Sequence, residues 1–165
     1  MLLQLKEVFL NEGKRLDVDY SLPMNDFDIK GDYPFKSPVK VSASAVNRAS
    51  LVELKVKAVF DYTTRCDRCF DEIVKHLEFT FVHGLAVSLI DDENDDYIET
   101  PDYTLELDEV VISDILLNLP SKILCKDDCK GICPKCGKNL NHGECDCEKT
   151  EIDSRLEILK QLIDN

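Results

Sequence analysis

Long apolar runs, glycine-rich phosphate loops and a catalytic set of histidines are all missing from this 165-residue chain. No stretch approaches the roughly 20 consecutive apolar residues that cross a bilayer. The apolar start, Leu2 to Leu10, carries an acid inside it and no small-residue cleavage pattern, unlike a secretory leader. The expectation is a cytoplasmic protein with no membrane partner. Without a glycine-rich loop there is no ready cradle for a nucleotide phosphate. His76, His83 and His142 fit no triad spacing, so the chain is expected not to be an enzyme and to have no small-molecule substrate.

Positive charge is absent where negative charge is densest. From Asp91 to Glu109 there are ten acids (Asp91, Asp92, Glu93, Asp95, Asp96, Glu99, Asp102, Glu106, Asp108, Glu109) and no Lys or Arg. Removing that −10 from the total of −13 leaves about −3 for the rest of the chain. Phosphate binding is carried by Lys and Arg, so the sequence as a whole does not advertise nucleic-acid binding. The acidic run reads as a solvated loop over 91–109, with an RNA-mimicking or partner-binding segment as the alternative.

What is present suits one domain. A chain of this length buries roughly 70% of its unfolded surface, and 44% apolar with 32% charged residues is a soluble, globular composition. Leu16, Val18, Tyr20 and Leu22 alternate, as do Val39, Val41, Ala43 and Ala45, and, after a turn near Asn47, Val52 through Tyr62. Period two with polar residues between describes strands of an antiparallel sheet with one wet face. A further strand is expected from Ile73 to Leu85. Leu107, Val110, Val111, Leu116 and Leu119 recur at helical spacing, with Asp108 placed to cap the first turn and Pro120 to end it. Ile152, Leu156, Leu159, Leu162 and Ile163 form a second stripe behind Thr150-x-x-Asp153. The fold class expected is α+β: an antiparallel sheet core over 1–124, a cysteine-rich module over 125–149 and a C-terminal helix over 150–165.

Eight cysteines stand out, and in a reducing compartment they read as metal ligands or catalytic thiols before disulfides. Cys133-Pro134-Lys135-Cys136-Gly137 is a zinc-knuckle pattern, in which a tight turn brings two thiolates to one ion and Gly137 supplies a positive φ. Cys145 and Cys147, two apart, project to one side of extended backbone and complete a four-thiolate site. Cys66 and Cys69, at the connection between two strands, can join Cys125 and Cys129 in a second site. Other groupings stay open, such as Cys129 with the knuckle, or His142 in place of one thiolate, and with them one zinc or two. Four thiolates leave zinc no open position, which makes it structural. It would order a segment whose large aliphatics between 125 and 149 are Ile132 and Leu140 alone. Cys66-x-x-Cys69 also has a redox reading, but such pairs open a helix, and strands flank this one.

The string Cys125-x-x-x-Cys129-Lys-Gly-Ile-Cys133-Pro-x-Cys136-Gly-x-Asn139-Leu-Asn141, then Cys145-x-Cys147, then Ile152-Asp153-x-Arg155-Leu156, resembles the C-terminal signature of the YceD-like family. Cys66-Asp67-Arg68-Cys69 on the central hairpin is similar to a second feature of that family. The resemblance implies a non-catalytic role in accumulation of large-subunit ribosomal RNA. Its implied partners are the large-subunit precursor or its RNA, with ribosomal or assembly proteins beside them. Joined to the charge map, it makes Arg65 and Arg68 candidates for RNA contact, against the plainer reading that they pair with Asp67 and Asp71. Two other classes remain: a zinc-dependent protein–protein adaptor without RNA contact, and a thiol-redox or metal-donor protein.

Overall fold

The computed structural model describes residues 1–29, 31–88 and 97–147. The chain divides into two compact units, one of Met1–Thr64 with Glu72–Ile123, the other of Arg65–Asp71 with the chain from Leu124 onward.

The elements, in order, are β1 (Leu2–Gln4), α1 (Lys6–Leu10), β2 (Arg15–Leu22), β3 (Val39–Arg48), β4 (Leu51–Arg65), β5 (Glu72–Ala86), β6 (Tyr97–Glu99), β7 (Thr104–Glu106) and α2 (Leu107–Asn118). Five strands form one sheet in the order β2-β3-β4-β5-β6, and β1 pairs with β7 in a separate ribbon. The alternation seen in the sequence sets the register. Val41 faces Ala58, Ala43 faces Val56 and Ala45 faces Leu54, all buried, while Lys55 and Lys57 lie on the wet side. Val39, Leu54, Val56, Ala58 and Phe60 form the centre of the core with Phe35 and with Leu107, Val111 and Ile115 of α2. Each such valine, leucine or phenylalanine contributes roughly 1.5–3 kcal/mol through burial. Phe35 anchors an aromatic cluster, its ring 5.4 Å from Phe60 and 5.6 Å from Tyr62.

Several local features differ from the pattern-based expectation. The β3–β4 turn is at Ala49 and Ser50, both at positive φ (51° and 66°), rather than near Asn47. Two left-handed residues in a two-residue hairpin match the right-handed twist of the strands. Asn47 is buried within β3, where its Nδ2 donates to the Val8 and Phe9 carbonyls at 2.9 and 3.1 Å and closes the end of α1. The sheet is mixed, not purely antiparallel: β6 adds parallel to β5, with Gly84 opposite Tyr97 and Leu85 opposite Ile98. Thr100, fully buried, fixes that edge by donating its N–H and hydroxyl to the Ala86 carbonyl at 2.7 and 2.9 Å.

Residues 97–109 are therefore not a solvated loop but β6, a 3-10 turn, β7 and the start of α2. Asp91–Asp96 lie outside the described residues, as does the helix expected over 150–165. Asp108 does not cap α2. Its carboxylate instead accepts from the Tyr20 hydroxyl and the Met1 amine, each at 2.6 Å, and Glu106 accepts from the same amine. Burial opposes charge on Asp108, but these two donors outweigh it and hold the carboxyl below its ordinary range. No helix among the described residues is long and apolar enough to cross a membrane.

Candidate metal centre

In the second unit the eight cysteines fall into two groups of four, and the grouping is Cys66, Cys69, Cys125, Cys129 and Cys133, Cys136, Cys145, Cys147. Within each group the four sulfurs lie within 4.8 Å of one another. All eight thiols are free.

Local backbone chemistry builds the turns that hold them. In Cys133–Lys138, the Gly137 N–H donates to the Cys133 carbonyl at 2.8 Å and the Cys133 N–H donates to the Lys138 carbonyl at 2.8 Å. Gly137 takes φ 72°, the conformation the sequence pattern calls for. This turn stands on a short antiparallel bridge between Ile132 and Asn139, with the Leu140 N–H donating to the Gly131 carbonyl at 2.8 Å. Cys66–Asp71 repeats the turn: Phe70 N–H to Cys66 carbonyl and Cys66 N–H to Asp71 carbonyl, both at 2.9 Å.

The sulfur separations test the fit to a metal. Cys66 and Cys129 sulfurs are 3.7 Å apart, and those of Cys69 and Cys125 are 3.6 Å apart. A disulfide holds its sulfurs at ~2.05 Å, whereas a tetrahedral ion with sulfurs at ~2.3 Å spaces them ~3.8 Å apart. These two separations in the first group match the edges of such a tetrahedron. Both groups could hold a metal ion. His142 belongs to neither, being exposed with its Nε2 3.8 Å from the Asp71 carboxylate.

Electrostatics within each group argue for a cation. Burial raises the Cys66 thiol, but the backbone N–H groups of Arg68, Cys125 and Cys69 outweigh it and bring the pKa down to about 6. The Asn141 amide, 3.2 Å from the Cys129 sulfur, lowers Cys129 as well. Burial and the neighbouring sulfurs then push Cys69 and Cys125 up. In the other group the Cys136 and Lys135 N–H groups bring Cys133 down to about 6, while Cys136 and burial push Cys147 up to about 12. Some thiols of each group ionise readily and the rest resist a further negative charge, which a bound divalent ion would neutralise.

A polar chain that the sequence reading overlooked braces the first group. The Cys69 thiol donates to Asp71 Oδ2 at 3.3 Å, Asn139 Nδ2 donates to the same oxygen at 2.8 Å, and Asn139 Oδ1 accepts from Asn141 Nδ2 at 2.9 Å. Asn141 then reaches the Cys129 sulfur and accepts the Lys130 N–H at 2.9 Å. Such outer partners orient ligands. Their signal was the Asn139-x-Asn141 spacing, which places two amides on one side of extended backbone. Of the two candidate arginines, both exposed, Arg68 donates from its guanidinium to the Cys129 carbonyl at 2.7 Å. Asp67 is also engaged.

The two groups are also separated by exposure. Cys66, Cys69 and Cys129 are buried and Cys125 half-buried, whereas Cys136 is exposed and only Cys133 of the other group is buried.

Comparison with known proteins adds a family. The model for the large ribosomal RNA subunit accumulation protein YceD matches residues 54–163, a span containing all eight cysteines. The chloroplastic YCED homolog 1 of Arabidopsis thaliana, named as a large ribosomal RNA subunit accumulation protein, is 30% identical over 156 residues. The match covers 76% of this chain and 48% of that protein. The uncharacterized protein YlbN of Bacillus subtilis is 25% identical over 150 residues, 89% of this chain and 87% of its own. An uncharacterized protein of Mycobacterium leprae is 27% identical over 81 residues, 47% of this chain and 37% of its own. The chain thus spans less than half the length of the plant and mycobacterial relatives. No solved structure matches it. With one family model covering the strand residues from Leu54 on and both cysteine groups, this chain belongs to the YceD family of large ribosomal RNA subunit accumulation proteins.

Proposed function

We propose that this protein is a non-catalytic, cytoplasmic factor that supports accumulation of large-subunit ribosomal RNA by binding precursor particles, with two structural zinc ions shaping the binding unit. The observation that carries the reading is the division of eight thiols into two four-sulfur groups, each with its sulfurs within 4.8 Å of one another, in a member of this family. Cys66, Cys69, Cys125 and Cys129 would hold one ion and Cys133, Cys136, Cys145 and Cys147 the other. Four thiolates complete zinc's coordination and leave no place for substrate or water, so the metal would fix shape and perform no chemistry. Zinc would stabilise a unit whose described part has little apolar residue of its own to bury.

The thiol-redox reading is less well supported. Cys66–Cys69 follows β4 and precedes β5 with no helix between them. The N–H groups that lower Cys66 come from its own turn and from Cys125. Its partner Cys69 is pushed up, with its sulfur beside that of Cys125. Arg65, exposed and adjacent to the first Cys-x-x-Cys turn, and the outer edge of Arg68 would meet phosphate.

Two measurements test this. Protein purified under reducing conditions without chelators should carry two zinc ions per chain, and metal-free preparations would sink the structural role. Depletion in the organism of origin should lower large-subunit relative to small-subunit ribosomal RNA, with rescue by the intact gene. An unchanged ratio would remove the functional assignment.

A further inference from the structure

The two Cys-x-x-Cys turns share their hydrogen bonds but differ at one position. After the second pair comes Gly137, at φ 72°; after the first comes Phe70, at φ 62°. Each donates its N–H to the carbonyl of the first cysteine, at 2.8 and 2.9 Å. The turn demands left-handed backbone there, which glycine adopts freely and a residue with a Cβ adopts at a cost. Among the described residues, packing does not offset that cost. Phe70 is 61% exposed, and among the described residues its ring is in none of the aromatic contacts. A bulky apolar residue sits where glycine is cheaper and stays in water. Strain kept without a packing return points to a role in contact with something else.

The surroundings say what kind of contact. Among the described residues of its unit, Phe70 is the single exposed large hydrophobic side chain. Its sequence neighbours Arg65 and Arg68 are exposed. A protein pocket recognises contiguous apolar surface, which the described residues of this unit do not present. An exposed aromatic ring on a turn fixed by its own hydrogen bonds, with Arg65 on the same short segment, suits an unstacked base with its phosphate beside it.

We propose that Phe70 is a stacking platform for an unpaired base of single-stranded RNA, with Arg65 placed for a neighbouring phosphate. This rests on the reading that the protein contacts large-subunit RNA. Because the turn already fixes the backbone, little further ordering is needed on binding.

The chain has no tryptophan, so Phe70→Trp installs a single indole at the platform, read by excitation at the red edge where the tyrosines do not absorb. In the full-length, metal-loaded protein, short single-stranded oligoadenylate should quench that fluorescence and an RNA duplex of equal length should not. Phe70→Gly should move two readouts in opposite directions. Relief of the backbone strain should raise the melting temperature by about 2–4 °C, while binding of the single-stranded oligonucleotide weakens about tenfold. A lowered melting temperature would make Phe70 a packing residue and overturn the proposal. So would unaltered oligonucleotide binding by Phe70→Gly, and that result would leave the broader RNA reading standing. If the wild-type protein ignores the oligonucleotide yet Phe70→Gly loses co-sedimentation with large-subunit precursors, the ring does not stack on a free unpaired base and the proposal is overturned. Wild-type protein that binds neither RNA nor precursors refutes the parent reading and this one with it.

Discussion

Replacing Gly131 by alanine is expected to cost the cysteine-rich unit about 2–3 kcal/mol, and the same change at Gly137 about 1–2 kcal/mol. Both glycines have nearly the same backbone, φ 75° and 72°, so both variants incur the left-handed penalty of ~1–2 kcal/mol. They differ in space. A Cβ on Gly137 meets nothing within 4 Å, but one on Gly131 lies 3.1 Å from the Arg68 carbonyl oxygen and 3.6 Å from the Arg68 Cβ. A backbone oxygen cannot swing away as a side chain can. Here it belongs to the turn between Cys66 and Cys69, and Arg68 is also tied to the Cys129 carbonyl. The extra ~1 kcal/mol should therefore be felt at the first cysteine group. A difference of that size is roughly fivefold in an equilibrium. Challenge of the zinc-loaded protein with a chromophoric chelator would read it as two release phases. Gly131→Ala should hasten release from Cys66, Cys69, Cys125 and Cys129 about fivefold relative to Gly137→Ala, which should mainly affect the exposed group. Equal effects of the two variants, or an effect of Gly131→Ala confined to the second group, would refute the reasoning.

Three other outcomes are expected. Asn141→Ala removes the donor to the Cys129 sulfur and breaks the amide chain to Asp71, so zinc affinity of the first group should fall about 10- to 100-fold; competitive titration against a chelator of known affinity checks it. In the β3–β4 hairpin, Ala49→Asn with Ser50→Gly suits the two left-handed positions and should raise the thermal midpoint by a few degrees, at roughly 1 kcal/mol for the pair; a lowered midpoint would contradict the turn. Asp108 has a folded pKa below its unfolded value, so its contribution is present above the ordinary carboxylate pKa of about 3.9 and is lost as pH falls through the lower folded value. Asp108→Asn should accordingly flatten the acid limb of the stability curve, measured by denaturant melts from neutral pH downward, and an unaltered limb would contradict the Tyr20 and Met1 contacts.

Period-two alternation made β2 through β5 legible because each buries one face, and a slip of one residue would turn Val56 or Leu54 to water. The helical stripe of α2 was legible for the same reason, although Ile115 holds the place that spacing alone assigned to Leu116. Parallel β6 was not, since three residues carry no period. Neither was α1, five residues long and held by Asn47 from a distant strand. The cysteine grouping could be guessed because eight thiols divide in one tidy way, but the sulfur separations are needed to support it. Asp71 with Asn139 and Asn141 escaped notice because their meeting joins positions 68 residues apart. Phe70 escaped because left-handed backbone at a residue with a Cβ leaves no mark in composition or pattern.

The first cysteine group also has a schedule. Cys66 and Cys129 lie 63 positions apart, and at ~5–20 residues per second of synthesis the second follows the first by about 3–13 seconds. During that interval Cys66 and Cys69 are an open pair of thiols on a nascent chain, able to gather a softer ion or an oxidant before their partners emerge. The later group, spread over Cys133 to Cys147, is completed within about three seconds at the slower rate. Cys129 still precedes Cys133, so the first group, although its opening pair waits longest, would be complete before the later group begins to emerge and would be the first able to close on an ion.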